Sequence, residues 1–385
     1  LKNPDPHVFS FTPESLAPWC VERGMKPFRA AQILEWVYTK GVIDPAAMSN
    51  LSKLDRDVLT REMTFLSGAT LRHQLASDGV QKLLVEWDEG DKGTKGQGDK
   101  VGEAEPRLSL PVVGEPGGDT SRQTECVMIP SEDRKTACIS SQIGCPVGCR
   151  FCASGLGGLD GNLSAGRIVE QVWRLGQLKG VGRISNVVFM GMGEPLSNFA
   201  NVTAAIRLIT GLWGLGISAR KITISTVGLP KAIEKLADQF ELPVTLALSL
   251  HAPTDEIRRQ LIPWAEYTTI DELLRSCQKW FDKTGREITL EYTLLRGVND
   301  RPEHAKELAE IARSIRANIN LIRYNEVDGL PFRRPTNEDV LEFQRLLKAR
   351  AVNTHIRASR GRDIAAACGQ LRHEHSQSGA GGEVG

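Results

Sequence analysis

The amino-acid sequence predicts an α/β protein, a partial (β/α)6 barrel with a small N-terminal helical domain. Three observations lead there. From about residue 136 onward, short apolar runs alternate with amphipathic helical stretches at a regular beat, the pattern of a parallel sheet with right-handed crossovers. Six such units are too few to close an eight-stranded barrel. The first 75 residues carry helix signals and none of that alternation.

In chain order, Thr12 precedes Pro13 and Glu14 as a helix cap and first turn. The stretch KPFRAAQILEWVYTKG puts Pro27 at a second helix start and Gly41 just past its end, with Ile33, Trp36 and Val37 on one apolar stripe. LSKLDRDVLTREM is the third helix, and residues 1–75 are assigned to this helical domain. Residues 76–130 read as a linker, with VQKLLVEW and RQTECVMIP as the two arms of a β-hairpin. Between the arms, about 89–119 are rich in Gly, Pro and charge. They bury too little apolar area to offset their ordering entropy, so a flexible insertion is expected. The barrel occupies 131–373, with strands TACISSQ, NVVFMGM, KITIST, VTLALSL, EITLEYT and NINLIRY, and NTHIRAS as a further addition. IDELLRSCQKWFDKTG and PEHAKELAEIARSIRA are helices between them, and a disordered tail is expected over 374–385.

Length and composition narrow the class. A chain of 385 residues suits one large domain with a smaller companion. Hydrophobic content of 41% and charged content of 25% are those of a soluble globular protein, and no apolar run approaches a membrane span. Eight cysteines are too sparse for a disulfide scaffold, which points to a reducing compartment, the cytoplasm. The chain begins at Leu1, so an organelle reached with a transit peptide is left open. Net charge of +1 says nothing in favour of nucleic acid. Residues 345–373, however, hold seven Lys or Arg against one acidic residue, Asp363, which suits either a solvated face or a phosphate-binding one.

Four of the eight cysteines fall within CISSQIGCPVGCRFCASG, residues 138–155. Three are spaced Cys145-x3-Cys149-x2-Cys152, and Cys138 stands seven positions upstream. Zinc requires a fourth protein ligand, which only His251 or Cys138 is suggested to supply. An iron–sulfur cube held by three cysteines leaves one iron open to a small molecule. The cysteine loop follows the first barrel strand. Other strand ends carry GMGEP at 191–195, Ser225 and Thr226, the Ser-Leu-His run at 249–251, and Asn325. That shared carboxyl edge is where barrel folds gather their chemistry.

The cysteine spacing, with Phe151 before the last cysteine and Gly193-Glu194-Pro195 after the second strand, resembles the radical S-adenosylmethionine (SAM) enzymes. CISSQIGCPVGCRFCASGLGG, NVVFMGMGEPLSN, ISTVG, LSLHAPTDEIRRQLIP, INLIRYN and ASRGRDIAAACGQL together resemble the RlmN-like family of RNA adenine-C2 methyltransferases, in the family's order over about 125–372. The resemblance implies a partial barrel of the radical SAM type, with a [4Fe-4S] cluster on Cys145, Cys149 and Cys152. It implies SAM contacts at Gly193, Glu194, Ser225, Ser249, Leu250, His251 and Asn325. It also implies that a first SAM methylates Cys368, that Cys138 later forms a disulfide with it, and that Glu125 accepts a proton. Such a route suits the substrate: adenine C2 lies between two ring nitrogens and is electron-poor, so it resists an electrophilic methyl group but accepts a carbon radical.

The implied substrates are adenosine in 23S ribosomal RNA, at the peptidyl transferase centre, and in the anticodon loop of transfer RNA. The implied partners are those RNAs and an electron donor such as flavodoxin or ferredoxin, with no membrane and a monomeric chain. The helical domain fits the family's accessory domain, a candidate RNA contact. Arg357, Arg360, Arg362 and Arg372 bracket Cys368 and are candidates to hold phosphates while the base is extruded. A relative that methylates C8 of adenine, and a radical SAM enzyme with a non-RNA substrate, are the alternatives. Cys20, Cys126 and Cys277 are expected to pack.

Overall fold

The computed structural model describes residues 2–89 and 120–371. The insertion expected at about 89–119, apart from its first position, and the tail expected at 374–385 lie outside the described residues, as does Arg372.

Three helices open the chain: α1 (Pro13–Glu22), α2 (Arg29–Tyr38) and α3 (Lys53–Glu62). Thr12 caps α1 by accepting from the Ser15 amide, and the Ser15 hydroxyl accepts from the Thr12 amide in return. Ser52 caps α3 one-sidedly, accepting from the Asp55 amide. Leu16, Ile33, Leu34, Val37 and Leu59 turn inward to a common core.

The helical segment ends earlier than the sequence suggests. Residues Gly68–Leu75 form a strand, β1, which pairs antiparallel with β2 (Gln81–Trp87). Gly79, at φ 82°, closes the turn between them, with the Ala76 amide donating to the Val80 carbonyl over 2.8 Å. Asp78-Gly79 is a hairpin signal. It was masked because β1 is an edge strand without clean apolar alternation: only Thr70 of its eight residues is buried.

β3 (Gln123–Pro130) pairs antiparallel with β2, as the two hairpin arms predict, and then with β4 (Lys135–Cys138). Residues 76–130 are therefore not a linker between bodies. Their strands continue the barrel sheet. β4 ends at Cys138 rather than running on through Gln142, because the Ser140 hydroxyl is drawn to the Glu125 carbonyl and Gln142–Gly144 (β5) pairs instead with Leu159–Asn162 (β6).

After α4 (Ala165–Gln177) come β7 (Asn186–Phe189), α5 (Phe199–Thr210), β8 (Ile222–Thr226), α6 (Pro230–Gln239) and β9 (Thr245–Ser249). Then follow α7 (Asp255–Leu261), α8 (Ile270–Thr284), β10 (Thr289–Leu294), α9 (Pro302–Ser314), β11 (Asn318–Arg323), α10 (Asn337–Lys348) and β12 (Thr354–Arg357). β4, β7, β8, β9, β10, β11 and β12 lie side by side in chain order, all parallel. The sheet stays open between β1 and β12, so the barrel is partial. No helix among the described residues is long and apolar enough to cross a membrane.

A buried polar clamp holds the N-terminal segment to α4. Glu170 receives the Ser67 amide at 3.0 Å and the Ser67 hydroxyl at 2.8 Å, His7 Nε2 lies 3.1 Å away, and Arg174 Nε donates to it over 2.8 Å. The Trp173 indole donates to the Val37 carbonyl at 2.8 Å, joining α4 to α2.

Candidate active site

A cavity of about 160 Å³ lies at the carboxyl edge of the parallel strands. Cys145, Cys149 and Cys152 line it on one side, and Glu194, Ser225, Ser249 and His251 line it from later strand ends. Cys368 closes it from the loop after β12.

The cysteine loop is shaped by glycines. Gly144 has φ 71°, and a Cβ there would come within 2.0 Å of the Gly158 carbonyl, which accepts from the Cys145 amide at 2.7 Å. The Ala153 amide donates to the Gly369 carbonyl over 2.8 Å, joining the cysteine loop to the loop of Cys368. Burial raises all three thiols, Cys145 to about 12. A metal must therefore displace protons here, and it would find a compensating charge: Arg258, wholly buried, acts on Cys149.

Zinc fits poorly. Cys138 lines a different cavity, His251 Nδ1 accepts from the Thr293 amide at 3.0 Å, and among the described residues no three His, Cys, Asp or Glu meet as a single-ion site. Three half-buried cysteines lining one cavity suit a cluster larger than one ion.

At GMGEP, a Cβ on Gly191 would meet the Ile139 carbonyl at 2.7 Å, and Gly193 has φ 100°. Glu194 is buried, which raises its carboxyl; its two oxygens accept from the Leu196 amide at 3.0 Å and the Val227 amide at 2.8 Å. It thus braces the β7 loop against the end of β8. Ser225 and Ser249 share a hydrogen bond of 3.2 Å on adjacent strands. His251 sits at φ 58° and meets Phe151 edge-on, with ring centroids 5.0 Å apart. Burial and Arg258 lower it to about 3, so the ring is neutral. Because Nδ1 accepts, the proton is on Nε2, the ring's remaining donor.

Two of the expected SAM positions stand elsewhere. Leu250 is core and does not line the cavity. Asn325 lines a neighbouring cavity of about 70 Å³, which also holds Cys138 and Cys368. Cys368 therefore belongs to the wall shared by both spaces, together with Met190, Ile322 and Arg357. Burial, and Cys368 beside it, push the Cys138 thiol up to about 12 against the pull of Arg357.

Glu125 lines neither cavity. It is buried, not exposed, and its carboxylate lies 2.7 Å from Lys82 Nζ, which donates to the Ala365 carbonyl at 3.2 Å. Of the arginines expected to face phosphate, Arg357 turns inward: Nη1 is 3.1 Å from Met190 Sδ and 3.8 Å from Glu291. Arg360 lines the smaller cavity and Arg362 is exposed.

Sequence reasoning missed Glu291, which lines the main cavity. Its Oε1 accepts from Asn320 at 3.0 Å, while the buried Oε2 makes no hydrogen bond and faces Arg357 Nη1 at 3.8 Å. An acidic residue within the apolar run ITLEYTLL was the available signal.

Residues 139–312 match the Radical SAM superfamily, and residues 7–65 match the ribosomal RNA large subunit methyltransferase N-terminal domain. The chain is 38% identical over 372 residues to a probable dual-specificity RNA methyltransferase RlmN of Rhodopirellula baltica, covering 96% of this chain and 92% of that protein. It is 37% identical over 373 residues to the dual-specificity RNA methyltransferase RlmN of Dichelobacter nodosus, covering 95% and 93%. Among solved structures, a radical SAM methyltransferase from Sphaerobacter thermophilus superposes with a TM-score of 0.84 at 36% identity, covering 96% of this chain and 99% of that one.

Proposed function

The chain belongs to the RlmN family of radical SAM RNA methyltransferases, and we propose that it methylates C2 of adenosine in 23S ribosomal RNA and in transfer RNA through a methylated Cys368. One observation supports this most. Cys368 stands in the wall between the space bearing the three clustered cysteines and the space bearing Cys138, where one sulfur can serve both.

In this reading Cys145, Cys149 and Cys152 hold a [4Fe-4S] cluster. When bound, that cluster supplies the electron that opens the sulfonium of SAM. Ser225, Ser249 and the Nε2–H of His251 offer hydrogen bonds to the ribose and carboxylate of SAM, while Glu194 keeps the two strand ends in register. The Cys368 sulfur takes a methyl group from a first SAM by displacement, as thiolate chemistry allows. The methyl carbon on Cys368 gives up a hydrogen atom and joins adenine C2, and the adduct then loses one electron and, to Glu125, the C2 proton. The Cys138 thiolate next bonds to the Cys368 sulfur, and the carbon–sulfur electron pair passes to the released carbon, which takes up a proton as the new methyl group. A flavodoxin- or ferredoxin-type donor and a dithiol reductant complete the cycle of a monomeric enzyme. The helical domain with its sheet extension, and Arg360 and Arg362 near Cys368, form the RNA-facing surface.

Anaerobic reconstitution with SAM and unmodified RNA, followed by nucleoside analysis, tests this. 2-Methyladenosine is the expected product; 8-methyladenosine, or no methylated adenosine from iron-loaded protein, would overturn it.

A further inference from the structure

Arg258, on α7, is fully buried, and only Nη2 has a partner, the Val227 carbonyl at 2.6 Å. Nε and Nη1 are buried with none. Among the described residues no acidic side chain is paired with it. Asp255, one turn earlier, instead accepts from the Ile270 amide through Oδ1 at 2.8 Å. A guanidinium without a counter-ion in a protein interior is costly and needs compensation.

The compensating charge is not visible in the protein alone. α7 packs against the cysteine loop: the Arg150 amide donates to the Leu261 carbonyl at 2.9 Å, and Leu261 and Ile262 pack with Val147 and Phe151. Arg258 lies near enough to Cys149 to favour its thiolate form against the burial that raises it. Arg258 does not line the cavity, so its charge acts through the wall rather than on a ligand inside it. A four-iron core on three thiolates carries a net charge of about −1, and about −2 once reduced by one electron.

We propose that Arg258 is a positioning residue for the cluster, its unpaired buried guanidinium beside Cys149 balancing the cluster's negative charge and favouring the reduced state. This rests on the cluster reading above. A fixed positive charge in a medium of low dielectric stabilises the more negative oxidation state, so it raises the midpoint potential.

The test is a redox titration followed by electron paramagnetic resonance on the anaerobically reconstituted full chain. Wild type is compared with Arg258→Lys, Arg258→Gln and Arg258→Met. The two neutral variants are expected to titrate at more negative potential, with the lysine variant closer to wild type and SAM affinity within about twofold throughout. Neutral variants with full iron content and an unmoved potential would overturn the inference alone; wild type that binds no iron would sink the cluster reading with it. Melting of the apoproteins provides a second readout that needs no cluster. Arg258→Met apoprotein is expected to melt no lower than wild-type apoprotein, and to gain less on cluster loading. A lower-melting apo variant would assign Arg258 to packing and overturn the proposal.

Discussion

The Asn325 carboxamide donates a 3.2 Å hydrogen bond to the backbone carbonyl of Cys368, and its oxygen accepts from Arg334 at 3.2 Å. The residue just beyond β11 thus fixes the height at which the Cys368 sulfur stands between the two cavities. Asn325→Ala should remove about 1 kcal/mol of local ordering. Methyl transfer should fall about tenfold while the melting temperature barely moves. Initial rates of 2-methyladenosine formation beside thermal melts check this; an unchanged rate would detach Asn325 from the chemistry.

The two separated cysteines should fail in different ways. Cys368→Ala should abolish methyl transfer and leave iron content intact. Cys138→Ala should leave RNA covalently attached through Cys368. Denaturing gels with labelled RNA distinguish the two, and normal turnover by Cys138→Ala would refute the division of labour.

Glu125 and Glu291 present competing carboxylates, one paired with Lys82 and outside both cavities, the other lining the cavity that Cys368 also lines, with one buried oxygen that makes no hydrogen bond. If Glu125 accepts the C2 proton, Glu125→Gln should slow transfer about 100-fold or more while Cys368 is still methylated. Glu291→Gln should then raise KM more than it lowers kcat. Unimpaired transfer by Glu125→Gln would move the proton acceptor into the cavity.

Glu170 makes the docking of the helical domain pH-dependent. Burial pushes its carboxyl up, but Arg174, His7 and the Ser67 amide outweigh burial and hold it at about 2, against 4.5 when unfolded. A depressed carboxyl stabilises above its unfolded value and loses that contribution as pH falls from about 4.5 toward 2. Glu170→Gln should cost about 3–5 kcal/mol near neutrality, since it strands Arg174. The gap in melting temperature between wild type and variant should shrink on acidification; a constant gap from pH 7 to 3 would contradict the clamp.

The barrel was legible because its strands are short apolar runs separated by capped helices, such as α8 with Thr269 and Gly285 at its ends. β1 was not, since an edge strand carries Arg72, His73 and Gln74 on a half-solvated surface and takes its register from β2. The catalytic edge was legible in its glycines, cysteines and Ser-Leu-His run. Its charges were not. DEIRRQL carries two adjacent arginines, and only the packing of α7 on the cysteine loop reveals that Arg258 is interior while Arg259 is exposed. The burial of Glu125 was likewise hidden, because its partner, Lys82, comes from a strand 43 positions earlier.

Cys368 is the proposed carrier of the transferred carbon. Protein methylated on Cys368 with isotopically labelled SAM, freed of that SAM, and turned over once with RNA and unlabelled SAM tests it directly. Label appearing in 2-methyladenosine is the predicted result. Label remaining on the protein while RNA acquires an unlabelled methyl group would contradict it.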